Sequence, residues 1–274
     1  MSPTYIKKLT PQALEDVDYT ANSLADAALY EPDGIYTVTN TYHVTQVLKL
    51  DAHLDRMQDS AQREGIALEL DRPRLRQTLR SMIKAANFGD VRFRLTVPPA
   101  QSECLIITLE PFTPPTPAIF NAGVRCVTAP GLLRRNPAAK TNDWIASRSH
   151  FTLPEGIYEG LLVAEDERIL EGLTSNFYAV LNGVLRTAGE DVLPGIAQQI
   201  VFAVAPPLII LRRDAVHLNE IPQLDEAFLT SSSRGVIPII EIDDIQIGEG
   251  VPGPRTMAIR RAYSRWVEEQ LEEL

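Results

Sequence analysis

Lysine is scarce in this chain: Lys7, Lys8, Lys49, Lys84 and Lys140 stand against 21 arginines, and beyond Lys84 only Lys140 remains. An amine that can shed its proton attacks carbonyl carbon and serves as a base at a substrate carbon; an always-charged guanidinium does neither. Lys140, in RNPAAKTND, is therefore the first candidate for covalent chemistry. Arg92 and Arg94 alternate along VRFRLTV and share one face of a predicted strand. Two charges on one sheet face call for a bound anion between them, so either could receive a substrate carboxylate. The segment Gly195-Ile196-Ala197 opens a predicted helix, where free backbone amides and the helix dipole make an anion site.

Other chemistries are disfavoured. Cys104 and Cys126 lack the close spacing of a metal knuckle or redox pair and read as buried thiols. His43, His53, His150 and His217 show no i, i+4 pairing, so no metal is expected. A net charge of -10 with no lysine-rich tract argues against nucleic acid as a partner. No apolar run approaches membrane-spanning length, and the N-terminus has no apolar stretch behind its basic pair. A cytoplasmic location is the expectation.

The elements that must position these groups follow from periodicity. Residues 34–46 (GIYTVTNTYHVTQ) read as strand, turn, strand. Leu50, His53, Leu54 and Met57 keep helical spacing, with Asp51 as the expected N-cap and Gly65 as a stop, and residues 71–90 repeat that design with Pro73 near the start. VRFRLTV and ECLIITLEPF form paired strands around PPAQS. These elements make an N-terminal α+β domain, residues 1–112. The proline-dense PFTPPTPAIFNAG suggests an interdomain connector over 113–122, and residues 123–274 a second domain. That domain is expected to hold the strand VRCVTAP, a short helix or extended segment at NDWIASRSHFTL and an antiparallel meander turning at Asn182-Gly183. A helix from Gly195, an edge element at AVHLNEIP, a buried strand at EAFLTSS and a terminal helix over Pro254 to Glu273 complete it.

Five segments stand in register: HLDRM (53–57), RNPAAKTND (135–143), ILEGLTSNFYAV (169–180), LPGIAQQ (193–199) and FLTSSSRGVIPI (228–239). In order and spacing they resemble the class IV aminotransferases, pyridoxal-5'-phosphate enzymes of fold type IV, from about Gly34 to the C-terminus. The resemblance implies a small N-terminal α/β sandwich and a larger C-terminal pseudo-barrel of mostly antiparallel strands with helices. It also implies a homodimer with its site in the interdomain cleft near the partner subunit. Lys140 matches the Schiff-base lysine and Glu171 the carboxylate partner of the pyridine nitrogen. Arg56 matches the phosphate-gripping arginine, Ile196 and Ala197 the helix start, Ser232 the phosphate hydroxyl, and Asn176 a residue that holds the turn. Tyr36 and Val38 match the substrate pocket, with Arg92, Arg94 and Ser233 as further substrate contacts.

Departures are visible too. Many relatives carry Thr or Ser at Ala197, Arg at Gln198 and Asn at Asp143. PPAQSEC offers no match to the arginine and histidine with which D-amino acid transaminases trap a carboxylate. The activity implied is amino-group transfer between an amino acid or amine and a 2-oxo acid. The alternatives are a pyruvate-eliminating aminodeoxychorismate lyase, weakened by Val38 where the lyases have threonine, and a non-catalytic binding protein on the same scaffold.

Overall fold

A computed structural model describes residues 4–274. The chain divides into two compact units that are not continuous in sequence. The first runs to Thr113 and also takes in Ala139–Ala146 and Gln270–Leu274; the second is Pro114–Ala138 with Ser147–Glu269.

The first unit is a seven-stranded antiparallel sheet with two long helices and one short one. Its strands are β1 (Tyr5–Leu9), β2 (Leu14–Glu15), β3 (Ile35–Tyr42), β4 (Gln46–Leu48), β5 (Val91–Val97), β6 (Leu105–Pro111) and a C-terminal strand, Leu271–Glu273. The spatial order is C-terminal strand, β4, β3, β5, β6, β1, β2. A four-residue helix, α1 (Leu24–Ala27), precedes β3; α2 (Leu50–Arg63) and α3 (Arg72–Ala86) follow β4. Leu50, Leu54, Met57 and Ala61 of α2, and Leu75, Leu79, Met82 and Ile83 of α3, pack with Phe93, Leu95, Val97, Ile107 and Leu109 of the sheet in one core. Asp71 caps α3 by accepting from the Arg74 amide at 3.0 Å.

Several expectations need correction here. The N-cap of α2 is Lys49, left-handed at φ 48° and without a side-chain cap bond, and Asp51 lies inside the helix and pairs with Arg72 and Arg76. The terminal helix stops at Glu269, because the next residues pair as a strand with β4 and seat Leu274 in the core. The sheet also begins earlier than Gly34: YIKKL forms β1, whose lysines obscure the alternation.

In the second unit, β7 (Val124–Pro130), β8 (Glu159–Val163), β9 (Ile169–Gly172), β10 (Asn176–Leu181), β11 (Val184–Arg186), β12 (Ile210–Arg212), β13 (Glu226–Ser231), β14 (Gly235–Ile242) and β15 (Ile245–Gln246) form a nine-stranded sheet. Pairing runs from β10 through β13, β14, β7, β8 and β9, and β9 returns to β10 at Glu171 opposite Asn176, closing a six-stranded barrel. Most pairings are antiparallel; β14–β7, β7–β8 and β11–β12 are parallel. Strands β8 and β10 are buried at every position, as in sheets covered on both faces.

The helices of this unit are α4 (Pro117–Ala122), α5 (Asp143–Ser149, shared with the first unit), α6 (Ile196–Val204) and α7 (Pro254–Glu269). Part of the proline-dense connector is thus helical, Pro117 being suited to the first helical turn. The edge element expected at AVHLNEIP is a 3-10 helix over Leu218–Gln223, capped by His217 and Glu220, and β12 takes the sheet edge. Asn182 and Gly183, both at positive φ, form the expected tight turn. Among the described residues no helix is long and apolar enough to cross a membrane.

Candidate active site

Lys140 is held by its backbone. Thr141 bridges Ile35 antiparallel, the Tyr36 amide donates to Lys140 O at 3.0 Å, and the Asn142 amide donates to Gly34 O at 2.8 Å. The segment therefore extends the sheet beside the first residues of β3, which the three-residue β4 leaves uncovered. On the other side, the Lys140 amide donates to Ser60 Oγ of α2 at 3.1 Å, and Ser60 in turn donates to Arg56 O at 2.8 Å. With its backbone so fixed, the half-buried lysine sets its Nζ over the Tyr36 ring, 4.6 Å from the centroid. Gly34 is required where the chain enters β3, because a Cβ there would meet Val97 O at 2.2 Å.

On the face of β3 that meets α2, Thr37 Oγ1 lies 2.8 Å from His53 Nδ1 and accepts from Arg56 Nη2 at 3.2 Å. All three residues are buried. Burial first, then the charges of Arg56, Lys140 and Lys49, holds the His53 pKa well below the ordinary histidine range. The ring is neutral, so Thr37 can donate to Nδ1 while accepting from Arg56. On the opposite face, Tyr36 and Val38 lie across from Thr96 and Arg94. Arg94 is buried and ion-paired through Nε to Glu31 at 2.7 Å. Arg92 is half exposed and reaches Glu110 at 3.5 Å. The anion expected between the two arginines is thus supplied separately to each by the chain's own carboxylates.

The second unit gathers the other predicted groups. Glu171, the penultimate residue of β9, lies beside Asn176, which begins β10. The buried Glu171 carboxylate accepts from Arg134 Nε at 2.7 Å and from the Leu193 amide at 3.3 Å. Asn176 Nδ2 donates to Leu193 O at 2.9 Å, and a Cβ on Gly195 would strike Asn176 Oδ1 at 2.0 Å. One tight turn, Leu193-Pro194-Gly195, therefore ties the carboxylate to the start of α6. Gly195 is the N-cap and has no side chain to bond the first amides, so those of Ile196 and Ala197 open the helix. Ser232 and Ser233 sit in the turn joining β13 and β14. That turn is held by Arg234, which donates to Ser231 Oγ at 2.8 Å, Glu159 Oε2 at 3.0 Å and Thr174 Oγ1 at 2.7 Å.

Within the first unit the structure brings together Lys140, Tyr36, Val38, Arg56 and Arg94, with Arg92 at the outer end of the same strand face. Within the second it brings together Glu171, Asn176, Ile196 and Ala197, with Ser232 and Ser233 on a separate turn. Sequence reasoning missed Glu31, Thr37, His53, Ser60, Arg134, Asn142, Glu159 and Arg234 as members of these networks. Arg134 precedes its motif by one residue, and for Glu31 no local signal exists. Among the described residues no cluster of His, Cys, Asp or Glu is arranged for a metal.

The first unit, taken by itself, offers an amine set over an aromatic ring, and the second a buried ion-paired carboxylate and a helix start with no side-chain cap. The family model for amino-transferase class IV matches residues 34–242, and the chain belongs to that family of pyridoxal-phosphate-dependent aminotransferases. A protein of Methanocaldococcus jannaschii provisionally named branched-chain-amino-acid aminotransferase is 25% identical over 88% of this chain and 89% of its own. Two solved structures share the fold. One is a provisionally named branched-chain amino acid aminotransferase from Thermotoga maritima, with TM-score 0.79, 23% identity and 96% of each chain covered. The other is the T.th. branched-chain amino acid aminotransferase with pyridoxamine 5'-phosphate, with TM-score 0.81, 18% identity and 97% and 98% of the two chains covered. Each unit supplies groups of the kind the cofactor needs: an amine in the first, and in the second a carboxylate and backbone amides, where the buried Ser175 Oγ next to Asn176 has no hydrogen-bond partner in the protein.

Proposed function

We propose that this aminotransferase moves the amino group of a branched-chain or similarly apolar amino acid to a 2-oxo acid, with Lys140 as the residue that carries the cofactor. The observation behind this reading is the fixed backbone of Lys140, which aims a half-buried amine across Tyr36. The relatives named above supply the substrate class, and their names favour amino-group transfer over pyruvate elimination.

The cofactor, when bound, supplies the ring that accepts electrons from the substrate carbon. Each residue then has one task. Lys140 takes the proton from the substrate α-carbon and returns it on the product side. Arg56, the Ile196 and Ala197 amides and the Ser232 hydroxyl bind phosphate, with Arg56 presented by Thr37. Glu171 keeps a proton on the ring nitrogen, and Asn176 holds the turn that fixes Glu171. Tyr36 and Val38 offer the apolar wall, and Arg92 and Ser233 are the polar groups on the substrate side, with Arg94 behind Tyr36 and ion-paired to Glu31. A homodimer in the cytoplasm is the assembly and location this reading carries, and the domain division at residues 112 and 123 goes with it.

The test is spectroscopic. Purified holoenzyme is titrated with L- and D-amino acids, without acceptor, while its visible absorption is followed. Bleaching of the visible band by leucine, isoleucine or valine of one hand, and recovery with a 2-oxo acid, is the expected result. A band that no amino acid bleaches overturns amino-group transfer. Lys140→Ala is the control, expected to lose turnover by at least about 10³-fold while keeping its fold.

A further inference from the structure

The strand pattern makes Arg94 a candidate anchor for a substrate carboxylate, but its Nε and Nη2 are engaged by side chains of its own unit. Nε donates to Glu31 Oε2 at 2.7 Å and to Thr96 Oγ1 at 2.9 Å, Nη2 donates to Asn142 Oδ1, and Cζ lies 3.9 Å from the Tyr36 ring centroid. Glu31 is equally occupied: Thr96 Oγ1 donates to its Oε2 and Thr108 Oγ1 to its Oε1 at 3.2 Å. Asn142 Nδ2 donates to Pro32 O at 2.8 Å, one residue beyond Glu31. Both residues that Arg94 grips on the lysine side, Asn142 and Tyr36, are themselves bonded to the Lys140 segment.

We infer that Arg94 is a positioning residue for Lys140: it locks the lysine's strand through Asn142 and the lysine's aromatic wall through Tyr36, while Glu31 cancels its charge. The consequence is a site whose lysine is placed by a neutral buried pair, so the amine is aimed without a lone charge beside it. A lone Arg94 would disfavour the protonated amine, and a lone Glu31 would favour it. The other charged or titratable groups around Lys140 in this unit are Lys49, His53 and Arg56 of α2 and its cap, Tyr36 of β3, Tyr19, whose hydroxyl is pushed up by burial and by Glu31, and the neighbouring Asp143.

The inference rests on Lys140 being the cofactor lysine, which borohydride reduction of the wild-type holoenzyme and mapping of the labelled peptide test separately. Label elsewhere would sink that assignment whatever Arg94 does. The inference itself is tested with Asn142→Ala, Arg94→Lys, Arg94→Met and Glu31→Gln holoenzymes, and with the double variant Arg94→Met/Glu31→Leu in case a lone buried charge prevents folding. Amide exchange of residues 139–146 and 34–38 should quicken about tenfold in Asn142→Ala and in the double variant, the protection of one lost hydrogen bond. Turnover should fall in kcat more than in KM for the 2-oxo acid. The pH profile should move by about half to one unit in opposite directions, toward alkali in Arg94→Met and toward acid in Glu31→Gln. Wild-type exchange in Asn142→Ala and the double variant, or a pH profile that moves in neither Arg94→Met nor Glu31→Gln, overturns the inference. So does a loss confined to KM in Arg94→Lys, which would make Arg94 a substrate anchor.

Discussion

The surroundings of Lys140 and those of Glu171 are assembled in opposite ways. Lys140 is fixed by Tyr36, Ser60 and Asn142, with Glu31 and Arg94 behind them, contributions from a loop, two strands and a helix scattered over more than a hundred residues. Glu171 is fixed within the stretch from β9 to the start of α6, by Asn176, Leu193 and Gly195, with Arg134 added from outside it. The group proposed to move a proton is thus aimed by a distributed web, and the group proposed to hold one charge in place by a compact stretch of chain. Damage to the web should spread over several side chains, whereas damage to the turn should be concentrated at single positions.

Glu171→Ala is the severest way to test the compact side. It removes the proposed partner of the ring nitrogen and leaves Arg134, with 5% side-chain exposure, without its carboxylate. Breaking a buried pair in this way costs about 3 kcal/mol of stability, and turnover should fall by about 10²-fold or more. Thermal unfolding and steady-state rates measure both. Glu171→Gln should recover most of the stability and little of the activity; equal recovery of both would mean that the carboxylate is structural only.

Gly195→Ala asks whether the turn tolerates any displacement. The new Cβ would lie 2.0 Å from Asn176 Oδ1, so either Asn176 gives up Leu193 or α6 starts elsewhere. Overpacking of this kind costs about 1 to 3 kcal/mol. The effect should appear as weaker retention of pyridoxal phosphate on dialysis, by about tenfold. Unchanged retention would detach the start of α6 from phosphate binding.

The web has a pH signature of its own. His53 is held neutral in the fold, with its pKa well below the histidine value, so below about pH 6.5 the unfolded chain binds a proton that the native one refuses. Stability attributable to His53 is therefore intact at neutral pH and declines as pH falls from about 6.5, by up to about 1.4 kcal/mol per pH unit. Denaturant melts of the wild type and His53→Gln between pH 5 and 7.5 should diverge in slope, the variant being flatter. Parallel slopes would place the histidine's titration elsewhere.

What the sequence made legible divides along the same line. The barrel side could be read because its residues sit in short runs whose spacing is the motif: ILEGLTSN places Glu171 and Asn176 on paired strands, and LPGIA is itself the turn. The lysine side yielded Lys140 and Arg56 as residues but not what holds them. Glu31 sits in LYEPDG, which reads as an ordinary polar loop, and its pairing with Arg94 depends on the antiparallel register of β3, β5 and β6. Asn142 and Ser60 act through backbone groups brought close only by the added strand. Local periodicity also mistook the ends of elements: Asp51 for a cap and the last residues of the chain for helix. In each case a tertiary partner decided the outcome, Arg72 and Arg76 for Asp51 and β4 for the C-terminus.

The smallest effect worth measuring lies at Thr37, where the web meets Arg56, the arginine proposed to bind phosphate. One hydroxyl accepts from Arg56 Nη2 and faces His53 Nδ1, so its single proton is available to His53 only while the ring is neutral. Thr37→Val keeps the shape and removes both bonds. A net loss of about 1 kcal/mol, or about fivefold in the dissociation constant for pyridoxal phosphate, is expected at neutral pH, with Thr37→Ser close to wild type. Because protonating His53 would withdraw the same bond, the wild type should lose affinity on acidification while Thr37→Val, already without it, changes less. If both variants bind as the wild type does at every pH, Arg56 is placed by the helix alone, and the polar web ends at Lys140.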